Sequence, residues 1–580
     1  MKNQITVNKI LYRPPSESRH TIHDESIEVI GLDTEAYDTG KCFMITTSEG
    51  DVFKPADFPE MFFSRQYRGS HFVTYNLKYD AGALLQNLSP DQLSELRTQG
   101  ETNTGEYKFV VIANKMLSIQ KGKNSIHVWD MYNFFLTSLD YAAKLFLGDR
   151  KKELETKSFK QDYVSANWNR IAEYSIHDSV LVRDLAQVLI QKFESYGVFP
   201  QKLFSTAYVS WQYFACHCEI PSIKRFWDNY PELLDYSLAS YNGGKFEVTE
   251  KGIDNYYEYD ISSAYPSEIS NLVDISHANV TVSKLYNKHA QYGFLLCDIN
   301  IPVKVFSPIA ITPGIVNLFP CGRITKVITK TEYEFFLSLG IQPEIKKAYW
   351  LEVNSPTYPF RKEINKLYAL KSKYKKENKP LDYHLVKILL NSLYGKFCQL
   401  IATPKGYKAG VSWNPIYASV ITANTRCRVS NMQNTYHDVV AVFTDSAISK
   451  SPLPLEETSG LGSWNKETEG KGIILGSGIY QIGSKTKLRG YESKTPLMEL
   501  IETKGSVIKI SSQHATTWRE VAFRHTDTDT INLFADIQKD IRINFDTKRL
   551  WIDDYKDFRE VKERKVISLP RMYDSRIGII

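Results

Sequence analysis

Asp33 and Glu35 stand two residues apart at the end of an apolar run, residues 26–32. In a strand, where side chains alternate with a period of two, both carboxylates point to one face. Side by side they repel each other unless a cation lies between them. A Mg²⁺ or Mn²⁺ site at the strand end therefore suits this spacing, although an exposed edge strand would carry the same letters. Asp80 ends a second apolar run, residues 71–79, and Tyr174 and Asp178 lie at i and i+4 of a helical stretch, on one face. Asp260 ends the strand-like residues 256–261, and Pro266 with Ser267 then makes a credible helix start. An acid at a strand end, beside the free N–H groups of a helix N-terminus, puts a cation site next to an anion site. That is what a metal-bound triphosphate needs. Read as a helix, residues 387–397 put Lys387, Asn391 and Tyr394/Gly395 on one stripe. A cation, an amide and a ring suit phosphate, base edges and a base face; an ordinary amphipathic helix shows the same pattern.

Such stretches need a large scaffold to bring them together. With 580 residues the chain exceeds a single core, and two to four domains are expected. At 42% hydrophobic and 24% charged residues the composition is that of a globular protein. The apolar runs fall short of the ~20 residues of a membrane span, and the N-terminus lacks a signal-peptide core, so a soluble, cytoplasmic protein is expected. Seven scattered cysteines argue against a disulfide framework. Cys216-His217-Cys218 has no second ligand pair at zinc-site spacing and reads as packing. The net charge of +6 matters less than its distribution: residues 361–379 hold eight basic side chains against two acidic ones, a footprint that fits phosphate as well as a solvated face. An aromatic content of 13%, with 36 tyrosines, could supply base-stacking surfaces.

Asp33/Glu35, Asn76/Asp80 and Tyr174/Asp178, in that order, resemble the three exonuclease motifs of the DnaQ-like proofreading domain. The resemblance implies an RNase H-like fold in which Asp33, Glu35, Asp80 and Asp178 bind two metal ions. It also implies that Tyr174 orients the attacking water and that Asn76 and Tyr79 touch a single-stranded 3′ end. Two cations about 3.5–4 Å apart would stabilise both the attacking and the leaving oxygen of an in-line displacement. Further on, residues 260–267, Asp-Ile-Ser-Ser-Ala-Tyr-Pro-Ser, resemble motif A of family B DNA polymerases, with Ala264 in place of the usual Leu. Residues 387–395 resemble motif B (K-x-x-x-N-S-x-Y-G), residues 439–446 motif C, and residues 485–491 the K-x-Y motif. Tyr241-Asn-Gly243-Gly244, a turn signal in its own right, resembles the Y-x-G-G motif between exonuclease and polymerase parts. By this resemblance Asp260 and Asp445 are metal-binding catalytic carboxylates, with two Mg²⁺ or Mn²⁺ ions per active site. Ser263, Ala264 and Tyr265 would line the nucleotide site, and Tyr265 would exclude a 2′-hydroxyl so that the product is DNA. Lys371 and Lys387 would contact the triphosphate, and Asn391 and Tyr394 the nascent base pair. Lys487, Arg489 and Tyr491 would grip the primer end, and Tyr241, Gly243 and Gly244 would contact DNA. Motif C normally reads Y-x-D-T-D-S, and here Phe443 replaces its first acid, which leaves metal preference and rate open. Residues 526–530, Thr-Asp-Thr-Asp-Thr, imitate motif C out of order and read as a polar turn.

The expected architecture is a mixed α/β, multidomain chain: an RNase H-like exonuclease followed by a right-hand polymerase. The expected bounds are a leader at 1–27, the exonuclease at 28–200, palm at 201–280 and 399–480, fingers at 356–398 and a thumb at 481–580. The 127 residues from Asp260 to Lys387 leave room for an inserted module at 281–355. Protein-primed members of the family carry such an insertion, which contacts a terminal protein; their second insertion, between motifs B and C, would be short here, at residues 398–415. The expected identity is a monomeric, protein-primed family B DNA polymerase of a virus or linear plasmid, with 3′–5′ proofreading. Its partners would be template and primer DNA, deoxynucleotides and a terminal protein, with no membrane. The alternatives are a primer-independent member, or an initiation factor that keeps only the exonuclease, which Phe443 motivates.

Overall fold

The computed structural model describes residues 7–12, 25–112, 114–149, 151, 159–403, 405–456, 458, 460–502 and 505–579. Among them, the first unit is built on an eight-stranded mixed sheet. Its centre runs parallel, Val29–Ala36 beside His71–Thr74 beside Asn124–Asp130, with antiparallel strands on both flanks. These central strands are buried along most of their length because elements cover both sheet faces. The long helix Gln161–Glu194 lies directly on Val29–Ala36. Gly31 makes that approach possible, since a Cβ there would stand 1.8 Å from the carbonyl oxygen of Ser179.

A second, nine-stranded sheet forms the centre of the molecule. Its strand Glu250–Ile261 lies between Ser446–Ser449 and Trp464–Gly476 and carries Asp260 at its end. Against it pack the helix Pro415–Thr435 and the short helix Ala264–Ser270. The helices Arg361–Lys376 and Pro380–Asn391 form a pair over one edge of the cavity. A third, six-stranded sheet takes Asn279–Ser283, Tyr292–Ile301, Cys321–Thr329 and Glu344–Glu352, joined by two C-terminal strands, Met572–Asp574 and Gly578–Ile579.

Two stretches lie otherwise than expected. Val7 and Ile10, in the stretch read as a leader, are buried, and Ile10–Leu11 pairs with Gly406–Ala409 of the short hairpin between motifs B and C. Residues 481–580, expected as one thumb, are spread over four places. Lys485–Leu488 completes the central sheet, Leu550–Trp551 and Val566–Leu569 flank that sheet, and the C-terminal strands join the inserted module. The hairpin Val507–Ala515/Phe534–Arg542 shares a buried core with Leu497, Tyr555 and Phe558 through Ile508, Ile510 and Ile541, and its tip is buried in the first unit's core through Trp518, Val521 and Ile531. Among the described residues, no helix is long and apolar enough to cross a membrane.

Candidate active sites

In the first unit the structure gathers Asp33, Glu35, Asp80 and Asp178 from three elements. Asp33 and Glu35 stand on the strand Val29–Ala36, Asp80 on the helix Leu77–Leu85 and Asp178 on Gln161–Glu194. Small hydroxyls fix two of them. Thr34 Oγ1 donates to Asp80 Oδ1 at 2.8 Å, Thr74 donates to the other Asp80 oxygen, and Ser175 Oγ donates to Asp33 Oδ2 at 3.0 Å. Burial pushes the carboxyls up, joined by repulsion from the other members of the set at Asp33, which lies well above its ordinary value, and at Glu35, raised to about 8, and by repulsion from Asp130 at Asp80, raised to about 7. Lys151 partly offsets this charge, its ammonium lying 2.5 Å from Asp178 Oδ2 and 5.0 Å from the centre of the Tyr174 ring. Burial opposes the lysine's charge, but Asp178 and Asp33 outweigh it and keep it protonated. No signal in the sequence singled out Lys151. Asn76, left-handed at φ 72°, starts the helix that carries Tyr79 and Asp80, and its amide donates to Asp130 Oδ1 at 2.9 Å.

Among the described residues no three acidic, histidine or cysteine side chains close on one point as a finished cage. The chemistry of the donor set nevertheless fits a divalent cation. Four carboxylates repel one another in a buried place, and neither oxygen of Asp178 accepts a well-aligned hydrogen bond.

The second site is a cavity of about 1570 Å³ over the central sheet. Asp260 and Asp445 face it from neighbouring strand ends. Asp260 pairs with Ser446 across the ladder, and Ile261 N–H donates to the Asp445 carbonyl at 2.9 Å. Burial, then Asp445, Glu467 and Glu258, push the Asp260 carboxyl up to about 7. Burial also raises Asp445. Thr444, which precedes it, is held left-handed at φ 62°, and the side chain of Thr444 fills the space a Cβ on Gly244 would need. Here too the uncompensated acids suit a cation. On the opposite wall stand Lys371, Lys387 and Asn391. Lys371 Nζ donates to Ser263 Oγ at 2.8 Å, and burial followed by the charge of Lys387 lowers its pKa. A site that crowds ammonium groups opposite crowded carboxylates suits a polyanion bridged by metal.

Several expected residues lie elsewhere. The stretch 387–397 is two helices, Pro380–Asn391 and Tyr394–Phe397, broken at Ser392 and Leu393, so Tyr394 leaves the stripe of Lys387 and Asn391. The Tyr394 hydroxyl meets that of Tyr241 at 2.7 Å and its ring packs on Tyr265 at 4.5 Å, so it buttresses the cavity from behind. Gly395 has nothing within 4 Å of a Cβ position. Ala264 is buried at the first turn of its helix, which begins two residues before Pro266, with Ser263 left-handed at its cap. Lys487 and Arg489 line the cavity, but Tyr491 does not; its hydroxyl donates to the Asp540 carbonyl at 3.0 Å in the thumb hairpin. Tyr480, opposite Lys487 across a tight hairpin, takes the cavity position instead. A β-bulge brings in Glu467: Glu258 pairs with Thr468 and Tyr259 with Lys466, so Glu467 is the extra residue and lines the cavity. Periodicity alone does not reveal a bulge. Glu258, in contrast, lies two residues before Asp260 on one strand, a spacing visible beforehand; it accepts from Tyr480 at 3.0 Å and from Lys485 at 2.7 Å.

The family model described as DNA polymerase type B, organellar and viral, matches residues 218–408. A DNA polymerase of Acidianus bottle-shaped virus (isolate Italy/Pozzuoli) is 28% identical over 296 residues, 47% of this chain and 44% of that protein. The primer-independent DNA polymerase PolB of Escherichia coli is 24% identical over 250 residues, 39% of this chain and 29% of that protein. The matched stretch thus spans less than half the length of either relative. Phi29 DNA polymerase complexed with primer-template DNA and incoming nucleotide substrates shares the fold, with a TM-score of 0.64 at 14% identity over 89% of this chain and 100% of that one. Its binary complex with primer-template DNA gives 0.61 at 14% identity, with the same coverage of 89% and 100%. The segment matched by the family model contains Asp260, Lys371, Lys387 and Asn391, so the likeness to the organellar and viral type B DNA polymerases falls on the part of the chain that walls the cavity.

Proposed function

We propose that the protein is a DNA-templated DNA polymerase with a 3′–5′ proofreading exonuclease, replicating a viral or linear-plasmid genome from a terminal-protein primer in the host cytoplasm. One observation carries this reading: Asp260 and Asp445 face Lys371 and Lys387 across a single large cavity. Asp260 and Asp445, and in the first unit Asp33, Glu35, Asp80 and Asp178, would hold Mg²⁺ or Mn²⁺, supplying Lewis-acid charge for phosphoryl transfer. The chain's own groups do the positioning. Lys371 and Lys387 bind polyphosphate, and Tyr265, wedged by Tyr394, walls the sugar. Lys487 and Arg489 hold the primer backbone. In the first unit Asn76 and Tyr79 receive a frayed 3′ end, and Tyr174 orients water beside Lys151.

Primer extension tests the assignment. The wild type should extend a primed template, and Asp445→Ala should lose about 10³-fold or more of that activity. Asp33→Ala combined with Glu35→Ala should remove 3′ degradation and spare synthesis. A wild type that degrades but never extends would reduce the protein to a DNA-binding or initiation factor. A second reading, synthesis without any primer, is favoured by the likeness to the Escherichia coli protein whose name states that property. Synthesis on unprimed single-stranded template without added terminal protein would select it.

A further inference from the structure

Arg426 is an arginine with no exposed surface, on the helix Pro415–Thr435. A buried guanidinium persists only where its donors and charge are met, and here the partners lie on the inserted module and on the loop at residues 241–244. Its Nε donates to the Pro308 carbonyl at 3.0 Å and one terminal nitrogen to Glu332 Oε1 at 2.7 Å, both in the inserted module. The other terminal nitrogen donates to the carbonyls of Asn242 and Gly243, at 2.6 and 3.1 Å. Lys326, also of the module, donates to Asn242 Oδ1 at 3.2 Å. Glu332 is itself fixed, since its other carboxylate oxygen accepts the Thr329 N–H at 2.9 Å at the helix cap.

The loop that Arg426 grips leads straight to the catalytic strand. The Thr444 side chain occupies the space a Cβ on Gly244 would need, Lys245 pairs with Thr444 in the ladder, and Asp445 follows. We propose that Arg426 is a positioning residue through which the inserted module sets the placement of Asp445, so that whatever loads or displaces the module changes the rate of nucleotide transfer. The proposal rests on the polymerase reading above. Thr444 is held in a left-handed conformation that relaxes readily if its neighbours move, and Gly244 leaves no slack between loop and strand. Displacing the loop by a fraction of an ångström therefore shifts a catalytic carboxylate while the polyphosphate-binding Lys371 and Lys387, carried by the helices Arg361–Lys376 and Pro380–Asn391, stay in place.

Single-nucleotide incorporation on a primed template, with Mg²⁺, tests it. Glu332→Gln should lower kcat about tenfold and leave KM for the nucleotide and 3′ degradation within about twofold. Arg426→Lys, which keeps the charge, should retain more activity than Arg426→Met. If Glu332→Gln does not fold, Lys326→Met, which loosens Asn242 alone, is measured in the same way. An unchanged kcat, a rise in KM alone, or an equal loss of synthesis and degradation overturns the proposal. Failure of the wild type to extend at all would instead overturn the polymerase reading.

Discussion

Phe443 occupies the position where motif C usually carries an acid, and its surroundings explain how the chain accommodates a ring. It is 7% exposed, stacked on Tyr480 at 5.0 Å and 9° and packed against Phe246 at 5.2 Å. Restoring the acid should therefore do harm. Phe443→Asp would bury a carboxylate among rings and lose their contacts, at a cost of about 3–5 kcal/mol, and should lower extension, whereas Phe443→Tyr should be tolerated. Urea unfolding and primer extension measure the two effects; a faster, fully stable Phe443→Asp would refute this view of the site. The four carboxylates of the first unit make a second prediction. Glu35 and Asp80 are raised in the folded protein, so without metal it binds more protons than the unfolded chain between about pH 4.5 and 8. The stability of the metal-free protein should fall as pH rises through that window, and Mg²⁺ should restore it. Melting temperatures in chelator and in Mg²⁺ at about pH 5 and 8 check this; equal pH dependence with and without metal would contradict it.

The tip of the thumb hairpin is the element whose placement matters most. Trp518, Val521 and Ile531 are buried in the first unit's core, and Asn532 Nδ2 donates to the Tyr79 carbonyl at 3.0 Å, on the helix that carries Asp80. Gly82 leaves room for Asn532, whose side-chain oxygen lies 2.5 Å from the Cβ position. The Thr-Asp-Thr-Asp-Thr stretch is the short 3₁₀ turn within this tip. Trp518→Ala should cost about 3–5 kcal/mol, with 3′ degradation lost at lower urea than synthesis. Simultaneous loss of both activities would show that the tip does not belong energetically to the first unit.

For the whole molecule, charge distribution outweighs the net charge of +6. Lys371, Lys375, Lys376, Lys387, Lys485, Lys487 and Arg489 line one cavity. If several of them meet backbone phosphates, primer-template affinity should fall about 10³-fold or more between ~50 and ~200 mM salt. A shallow salt dependence in a titration would mean that this wall does not face the duplex. Among the described residues, strands at both extremes of the numbering pair with segments hundreds of positions away. Ile10–Leu11 is fixed to the hairpin at 400–409, and Met572–Asp574 lies parallel to Cys321–Thr329.

Local chemistry was legible from the letters alone. Acids ending apolar runs marked Asp33, Glu35, Asp80 and Asp260, because a strand's period of two and its buried faces leave a plain imprint. The multidomain organisation followed from chain length, and the mixed α/β class from the resemblance of the ordered motifs to those of DnaQ-like exonucleases and family B polymerases. Other features depended on contacts between residues hundreds of positions apart, which no local pattern encodes. Lys151 among the carboxylates, Glu467 on its bulge, Tyr480 in place of Tyr491 and the thumb tip inside the first unit are of this kind. The helix expected through Tyr394 broke for the same reason: hydroxyl and ring contacts with Tyr241 and Tyr265 hold that ring behind the cavity. Periodicity determines which side of an element is buried; only packing decides which distant residue it meets there.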